Sequence, residues 1–238
     1  MVGLPENNAI KPSPSLIVEL VGPAGAGKTT LSRVLSQRDE KILTGAEIEF
    51  RKLEHIPIFF GNVPFLLPMF LRRYQPGRSF TWEELKYLVY LRGWPRLLSH
   101  QALNNGTVIL LDHGPVFKLA TLNAFGPARL KSHDFENWWR DMLYQWSCTL
   151  DLVIWLDAPD TILMERINNR DQRHAVKEKS EQEVANFLAC YRASYEYILT
   201  KLKANGRPNL LQFDTNQASI EQIADGILVA CSFKLGGS

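Results

Sequence analysis

The chain has 238 residues, of which 45% are hydrophobic and 22% are charged, and 27 basic against 25 acidic side chains give a formal net charge of +2. This composition is typical of a folded globular chain and excludes an intrinsically disordered one, while the length suits one α/β domain. Because the charges nearly balance, no global basic field favours a nucleic-acid partner.

The cysteines and the apolar segments indicate the cellular compartment in which the chain is expected to fold. Cys148, Cys190 and Cys231 lie far apart and form no C-x-x-C pair, so we expect buried thiols in a reducing cytoplasm and neither a disulfide framework nor a zinc site. Residues 1–15 hold prolines and no long apolar core, which favours a flexible tail over a signal peptide. No run of about 18 uninterrupted apolar residues is present, so no transmembrane segment is predicted.

Short apolar segments predict buried strands, and amphipathic segments between them predict helices. We expect strands at 16–21, 41–43, 107–112, 151–157 and 209–213, and helices at 28–37, 82–104, 134–147, 160–169, 179–204 and 219–231. The alternation of strands and helices favours a parallel sheet covered on both faces. No linker divides the chain, so we expect a single α/β domain over 16–232, followed by frayed residues 233–238.

The most specific motif follows the first predicted strand. Residues 22–29 match G-x-x-x-x-G-K-[ST] at every fixed position, and a predicted helix follows them. Glycines let successive backbone N–H groups point into one concavity, and the helix adds the positive end of its dipole. The predicted nucleotide-binding residues are Gly22, Pro23, Ala24, Gly25, Ala26, Gly27, Lys28, Thr29 and, as a lesser candidate, Thr30. Lys28 is expected to neutralise the β- and γ-phosphates, and the Thr29 hydroxyl to bind Mg²⁺.

Two further segments carry charged side chains that suit phosphoryl transfer. Asp112 ends the third predicted strand, where it can hold Mg²⁺ or accept a proton from the acceptor; the alternative is a turn or helix-cap residue. Arg166, Arg170 and Arg173 are spaced four and three apart, so their guanidinium groups can lie on one side of a helix or its end and bind phosphate oxygens. The alternative for these arginines is a solvated basic face. His113 is expected to be a turn residue.

The layout resembles the nucleoside- and nucleotide-kinase branch of P-loop proteins, especially thymidylate-kinase-like and deoxynucleoside-kinase-like enzymes. The likeness rests on residues 22–29, on Leu111-Asp112, on 156–159 followed by Glu165-Arg166, and on the arginine-rich segment 166–173. It implies a three-layer P-loop NTPase fold with a five-stranded parallel sheet flanked by helices, ATP as donor, Mg²⁺ as cofactor, and a lid over about 166–178 that closes on the phosphates.

The sequence departs from this family immediately after Asp112. These kinases commonly have Asp-Arg, with the arginine on the acceptor, whereas His113 follows here, so that contact is missing or supplied elsewhere. The guanine-reading pattern N-K-x-D is absent, which weighs against a guanine-specific switch. Residues 212–216 are expected either to lie along an adenine ring or to form a plain strand-to-helix turn.

The acceptor is expected to bind at residues 45–105. Glu47 is a second candidate for the general base beside Asp112, and Arg51 and Arg92 are candidates to hold an anionic acceptor. The apolar stretch 56–71 is expected to belong to the core or to a homodimer face. The alternatives are that it binds an acceptor with an apolar part or docks on a membrane surface. The tryptophans at 138, 139 and 146 are expected in the core or an interface. Together these features predict a kinase acting on a small-molecule acceptor, with an NTP hydrolase and a nucleotide-dependent regulatory module as the alternatives.

Overall fold

The computed structural model describes residues 15–44, 61, 64, 78–101, 106–169 and 179–236. Within these ranges all strands are parallel and form one five-stranded sheet in the order β2-β3-β1-β4-β5. The strands are β1 (Leu16–Val21), β2 (Ile42–Thr44), β3 (Val108–Asp112), β4 (Leu152–Asp157) and β5 (Asn209–Asp214). The predicted five-stranded parallel sheet is therefore confirmed.

The helices of the described ranges flank this sheet. They are α1 (Lys28–Arg38), α2 (Trp82–Gln101), α3 (Pro115–Phe125), α4 (Glu136–Thr149), α5 (Asp160–Asn168), α6 (Glu181–Lys203) and α7 (Ile220–Gly236), with 3-10 turns at Ala128–Lys131 and His133–Phe135. α4 begins two residues later than the predicted start at 134, because the second 3-10 turn precedes it.

α3 is not among the predicted helices. It packs against α6, α2 and β1. Its sequence PVFKLATLNAF is apolar at eight of eleven positions, and these positions are spread around the helix axis. An apolar surface that wraps most of a helix has no polar–apolar period, and that period is the signal on which helix prediction depends.

The alternation of side chains along β1 separates two hydrophobic cores. Ile17 and Val21 pack on one face of the sheet with residues of α2, α3, α4 and α6. Leu16, Val18 and Leu20 pack on the other face with residues of α1, α5 and α7 and the start of α6. Because successive side chains of a strand point to opposite faces, six buried residues in a row mean that helices cover both faces of the sheet.

The predicted tryptophan cluster belongs to the core. Trp146 is fully buried and donates its indole N–H to the Leu91 carbonyl at 2.9 Å, which ties α4 to α2. Trp138 is buried and Trp139 is partly buried against the same core. The cysteines differ from the prediction, because Cys148 is exposed and only Cys231 is buried. No helix within the described ranges is both long and apolar enough to cross a bilayer.

Candidate nucleotide and acceptor site

The loop between β1 and α1 requires glycine at its first position. Gly22 has a φ of 142°, and a Cβ atom there would lie 2.0 Å from the carbonyl oxygen of Leu156. At the other end of the loop, Gly27 precedes the first residue of α1 and adopts a left-handed conformation. No side chain caps this helix, and its first turn contains no acidic residue. The first N–H groups of α1 are thus available to an anion, as the motif predicts.

The starts of α3 and α6 are different, because side chains occupy them. At α6, Ser180 and Glu183 form a capping box, each accepting a hydrogen bond from the other's backbone N–H. At α3, the carboxylate of Glu19 accepts hydrogen bonds from the N–H groups of Val116 and Phe117. The helices α4 and α5 also begin without a side-chain cap, but each has an acidic residue in its first turn, which α1 lacks.

The side chain of Lys28 folds back onto the start of the phosphate loop. Its Nζ atom donates to the carbonyl oxygens of Gly22 and Pro23 at 2.7 and 3.0 Å, and the residue is 9% exposed. The hydroxyl of the buried Tyr195 donates to the same Gly22 oxygen at 3.3 Å. Two backbone carbonyl oxygens thus help to orient the ammonium, and phosphate oxygens can replace them as its partners.

Thr29 and Asp112 are brought together by the pairing of β1 and β3. Thr29 Oγ1 lies 3.4 Å from Asp112 Oδ2. Asp112 Oδ1 is buried and has no hydrogen-bond partner among the described residues. A hydroxyl and a carboxylate are hard oxygen ligands, and a buried carboxylate oxygen without a donor is costly unless a cation or donor satisfies it. These residues therefore fit the predicted Mg²⁺.

A buried carboxylate that the sequence reasoning missed lies next to this pair. Glu19 is fully buried, and its oxygens lie 2.9 and 3.0 Å from the N–H groups of Val116 and Phe117. A Cβ atom on Gly114 would lie 2.7 Å from Glu19 Cδ, so glycine is required for this approach. Burial raises the pKa of Glu19 to about 8, although the two N–H groups oppose the rise. The sequence signal was a single charged residue in an otherwise apolar strand.

Arg166, predicted to close on the γ-phosphate, binds backbone and hydroxyl groups at the other side of the loop. Its guanidinium donates to Thr215 Oγ1 at 2.8 Å, to Thr215 O at 3.0 Å and to Gly25 O at 3.4 Å. It thereby joins α5, the phosphate loop and the β5–α7 turn. The three residues also line a pocket of about 520 Å³, together with Ile220 and neighbouring residues. The spacing of the arginines contained no signal for these partners.

Most of the remaining predicted arginines and acceptor residues lie outside the described part of the chain. Arg92 lies on α2 and is exposed. Arg170 and Arg173, with most of the predicted lid, lie outside the described residues, and so do Glu47, Arg51 and all of the stretch 56–71 except 61 and 64. α5 ends at Asn168, one residue before the predicted helix end at 169.

Arg192 is a second missed residue, and it fastens α6 to the sheet edge. Its Nε and Nη2 atoms bind the two oxygens of Asp157 at 2.7 and 3.0 Å, its Nη1 binds Asp160, and Nη2 also donates to Ala158 O. Hydrogen bonding to Asp157 raises the pKa of Arg192 above its usual value. The planar fork of arginine suits this arrangement, which fixes the start of α5 relative to α6.

A larger cavity, of about 790 Å³, lies elsewhere, between α4 and the end of α6. Trp139, Tyr144, Tyr197 and Lys201 are among its lining residues, and none of the predicted site residues is. Volume alone does not identify a site, and the phosphate loop supplies the anion-binding backbone that this cavity does not show. We therefore place the candidate site at the smaller pocket.

The strand order, with a phosphate-binding loop between β1 and α1, defines the P-loop kinase fold. Deoxyadenosine kinase from M. mycoides with bound dATP is similar to 91% of this chain over 100% of its own, at 15% identity and a TM-score of 0.52. The same enzyme with bound dCTP matches 91% of this chain over 100% of its own, at 16% identity and a TM-score of 0.50. Thymidylate kinase from Candida albicans matches 92% of each chain at 18% identity and a TM-score of 0.50.

These likenesses confirm the predicted resemblance at the level of the fold. Neither the family models nor the curated proteins give a match to this sequence. The relation is thus one of architecture, and any activity has to be argued from the site itself.

Proposed function

We propose that this chain is an ATP-dependent kinase that transfers the γ-phosphoryl group of ATP to a small-molecule acceptor, a nucleoside- or nucleotide-like hydroxyl or phosphate. The observation that carries the proposal is the meeting of three features at one edge of the sheet. The start of α1 is uncapped, the Lys28 ammonium lies inside the loop, and Thr29 and Asp112 are 3.4 Å apart beside it. A helix start that can bind an anion, an ammonium group and two oxygen ligands for a metal suit a triphosphate with Mg²⁺.

The pocket beside Arg166 is the proposed site of the adenosine part of ATP. It adjoins Gly25 and Gly27 of the phosphate loop, so a nucleotide can place its phosphates on the loop and its base against the β5–α7 turn. The guanidinium of Arg166 is held there by three hydrogen bonds, which prevent it from moving freely. This supports a role for Arg166 in nucleotide binding alongside its predicted catalytic role.

In the transfer step, an acceptor oxygen forms a bond to the γ-phosphorus while the bond to the β–γ bridging oxygen breaks, and that oxygen leaves with ADP. Lys28 and the N–H groups of α1 stabilise the charge that develops on the phosphoryl oxygens. Thr29 and Asp112 would hold Mg²⁺, which neutralises phosphate charge when bound. The acceptor proton passes to a carboxylate, for which Asp112 and Glu47 are the two candidates. Arg170 and Arg173 are proposed to close over the γ-phosphate.

The experiment is ADP formation from ATP and Mg²⁺, with and without a panel of nucleosides, nucleotides and other hydroxyl compounds. A kinase gives ADP formation that an acceptor stimulates, together with a phosphorylated product. Steady ADP formation without any acceptor effect would instead indicate a hydrolase, and nucleotide binding without turnover would indicate a regulatory module. Lys28→Ala is the control, because it should abolish turnover while the protein stays folded. Normal turnover by this variant would contradict the role of the loop.

A further inference from the structure

The cavity of about 790 Å³ between α4 and the end of α6 has no part in the proposed transfer step. Its volume falls within the range that small ligands occupy in proteins. The buried side chains of Leu130 and Leu143 line it, together with the partly buried Trp139 and exposed residues of both helices. Its lining therefore combines core residues with charged and aromatic residues of the surface.

Three aromatic side chains line this cavity. Trp139 donates its indole N–H to the Leu130 carbonyl at 2.7 Å, and its ring lies against that of Trp138 with the centroids 5.1 Å apart. Because the protein already satisfies its one donor, the indole can offer a ligand only apolar ring surface. Tyr144 and Tyr197 are 60% and 48% exposed. Exposed aromatic surface around a cavity favours a ligand with a planar ring.

The two acidic residues of the cavity each have a basic neighbour. Glu136 Oε2 lies 2.9 Å from His133 Nδ1, on the same side of the first turn of α4. Asp141 Oδ1 lies 3.7 Å from Nε of Arg140, which also lines the cavity. These carboxylates are thus less suited to bind a cationic ligand than two unpaired acids would be.

Two lysines of the cavity add positive charge. Lys131 and Lys201 are exposed, and neither forms an ion pair within the described part of the chain. Lys201 follows Tyr197 by one turn of α6, and its Nζ atom is 5.6 Å from the centroid of the Tyr197 ring. An aromatic ring orients an ammonium without neutralising it. A cation and a ring face are thus held side by side, where one ligand can contact both.

We propose that this cavity binds a small molecule that combines a planar aromatic ring with an anionic group, a carboxylate, sulfonate or phosphate. The ring packs against Trp139, Tyr144 and Tyr197, and the anionic group binds Lys201, with Lys131 as a second cation. The proposal does not depend on the proposed kinase function, because this cavity and the pocket beside the phosphate loop have no lining residue in common.

The test is calorimetry of the full-length protein with three probes: naphthalene-2-sulfonate, its neutral sulfonamide, and methanesulfonate, which has no ring. Wild type should bind the naphthalene sulfonate at least about tenfold more tightly than either of the others. Lys201→Met should weaken binding of the sulfonate at least about tenfold and leave the sulfonamide unchanged, whereas Lys201→Arg should keep most of the affinity. Tyr197→Ala should weaken both naphthalene compounds, because it removes ring surface that each of them covers.

Matched controls lie outside the cavity. Lys203→Met changes an exposed lysine of the same helix, and Phe233→Ala removes an aromatic side chain of α7 that is 78% exposed. Both variants should bind the sulfonate as wild type does, and so should Lys28→Ala, because the probe does not need the phosphate loop. Equal affinity of wild type and Lys201→Met for the sulfonate, or loss of binding in Lys28→Ala, would overturn the proposal.

Sedimentation of wild type and Tyr197→Ala tests the other occupant, a second copy of the chain. We expect the two proteins to sediment alike at every concentration. A wild-type dimer that dissociates in Tyr197→Ala would contradict the proposal, since the cavity would then belong to an interface between two copies.

Discussion

The hydroxyl of Thr29 lies 3.4 Å from Asp112 Oδ2, although 83 positions separate the two residues. β1 and β3 are adjacent and parallel, with Leu20 beside Asp112, so the residues that follow their carboxyl ends meet at one edge of the sheet. The other carboxylate oxygen of Asp112, Oδ1, is buried, has no hydrogen-bond partner in the described part of the chain, and lies 3.6 Å from His113 Nδ1. The predicted metal site thus combines Thr29 of the phosphate-loop motif with Asp112, which strand pairing brings beside it.

Asp112→Asn should therefore weaken Mg²⁺ activation. The amide is a poorer ligand and carries no charge, so we expect kcat to fall about 100-fold or more and the Mg²⁺ concentration for half-maximal activity to rise. Mg²⁺ titrations of ADP formation measure both effects. Asp141→Asn, on the exposed side of α4, is the matched control and should behave as wild type. An unchanged Mg²⁺ requirement in Asp112→Asn would remove Asp112 from the metal site.

Arg166→Ala should act on the nucleotide side. The variant loses hydrogen bonds to Thr215 and Gly25 that hold the wall of the proposed adenosine pocket, so we expect KM for ATP to rise about tenfold. KM for the acceptor should stay constant, because the acceptor is proposed to react beside Asp112, away from this pocket. Steady-state kinetics and ADP calorimetry give both values, and Arg33→Ala on the exposed face of α1 is the control. A fall in kcat with unchanged ADP affinity would favour the purely catalytic role.

Arg192→Leu should destabilise the protein. It leaves Asp157 and Asp160 without the guanidinium that bridges them, in a site where the Arg192 side chain is 23% exposed. We expect the free energy of unfolding to fall by roughly 1–3 kcal/mol, as measured by urea denaturation. Arg140→Leu breaks a more exposed ion pair, 3.7 Å from Asp141, and should cost at most about 0.5 kcal/mol. Equal stabilities of the two variants would show that the bridge contributes nothing.

The sheet, the phosphate loop and most helices could be predicted because their signals are local. An apolar strand, a glycine-rich turn and a polar–apolar period each lie within a short window of sequence. α3 gave no such signal, since its apolar residues surround most of its axis. The roles of Glu19 and Arg192 depend on groups 97 and 35 positions away, and no local pattern contains that information. The partners of Arg166 could not be predicted either, because Thr215 lies 49 positions further along the chain.

The pH dependence of stability should identify Glu19. Its pKa is about 8 in the folded protein and about 4.5 when unfolded, so between these values the folded state binds more protons than the unfolded state. The free energy of unfolding therefore falls as the pH rises through this window, and the contribution of the neutral carboxyl is lost above about pH 8. Glu19→Gln cannot titrate and should show a flatter slope in urea denaturation across the same range.

Slopes are compared in place of absolute stabilities, because the side-chain amide introduced by Glu19→Gln would place an N–H group against one of the backbone donors of α3 and lower stability at every pH. Glu196→Gln, on the exposed face of α6, is the matched control and should keep the wild-type slope. If Glu19→Gln and wild type lose stability in parallel from about pH 4.5 to about pH 8, another group titrates in this window and the buried carboxyl at the start of α3 is charged throughout.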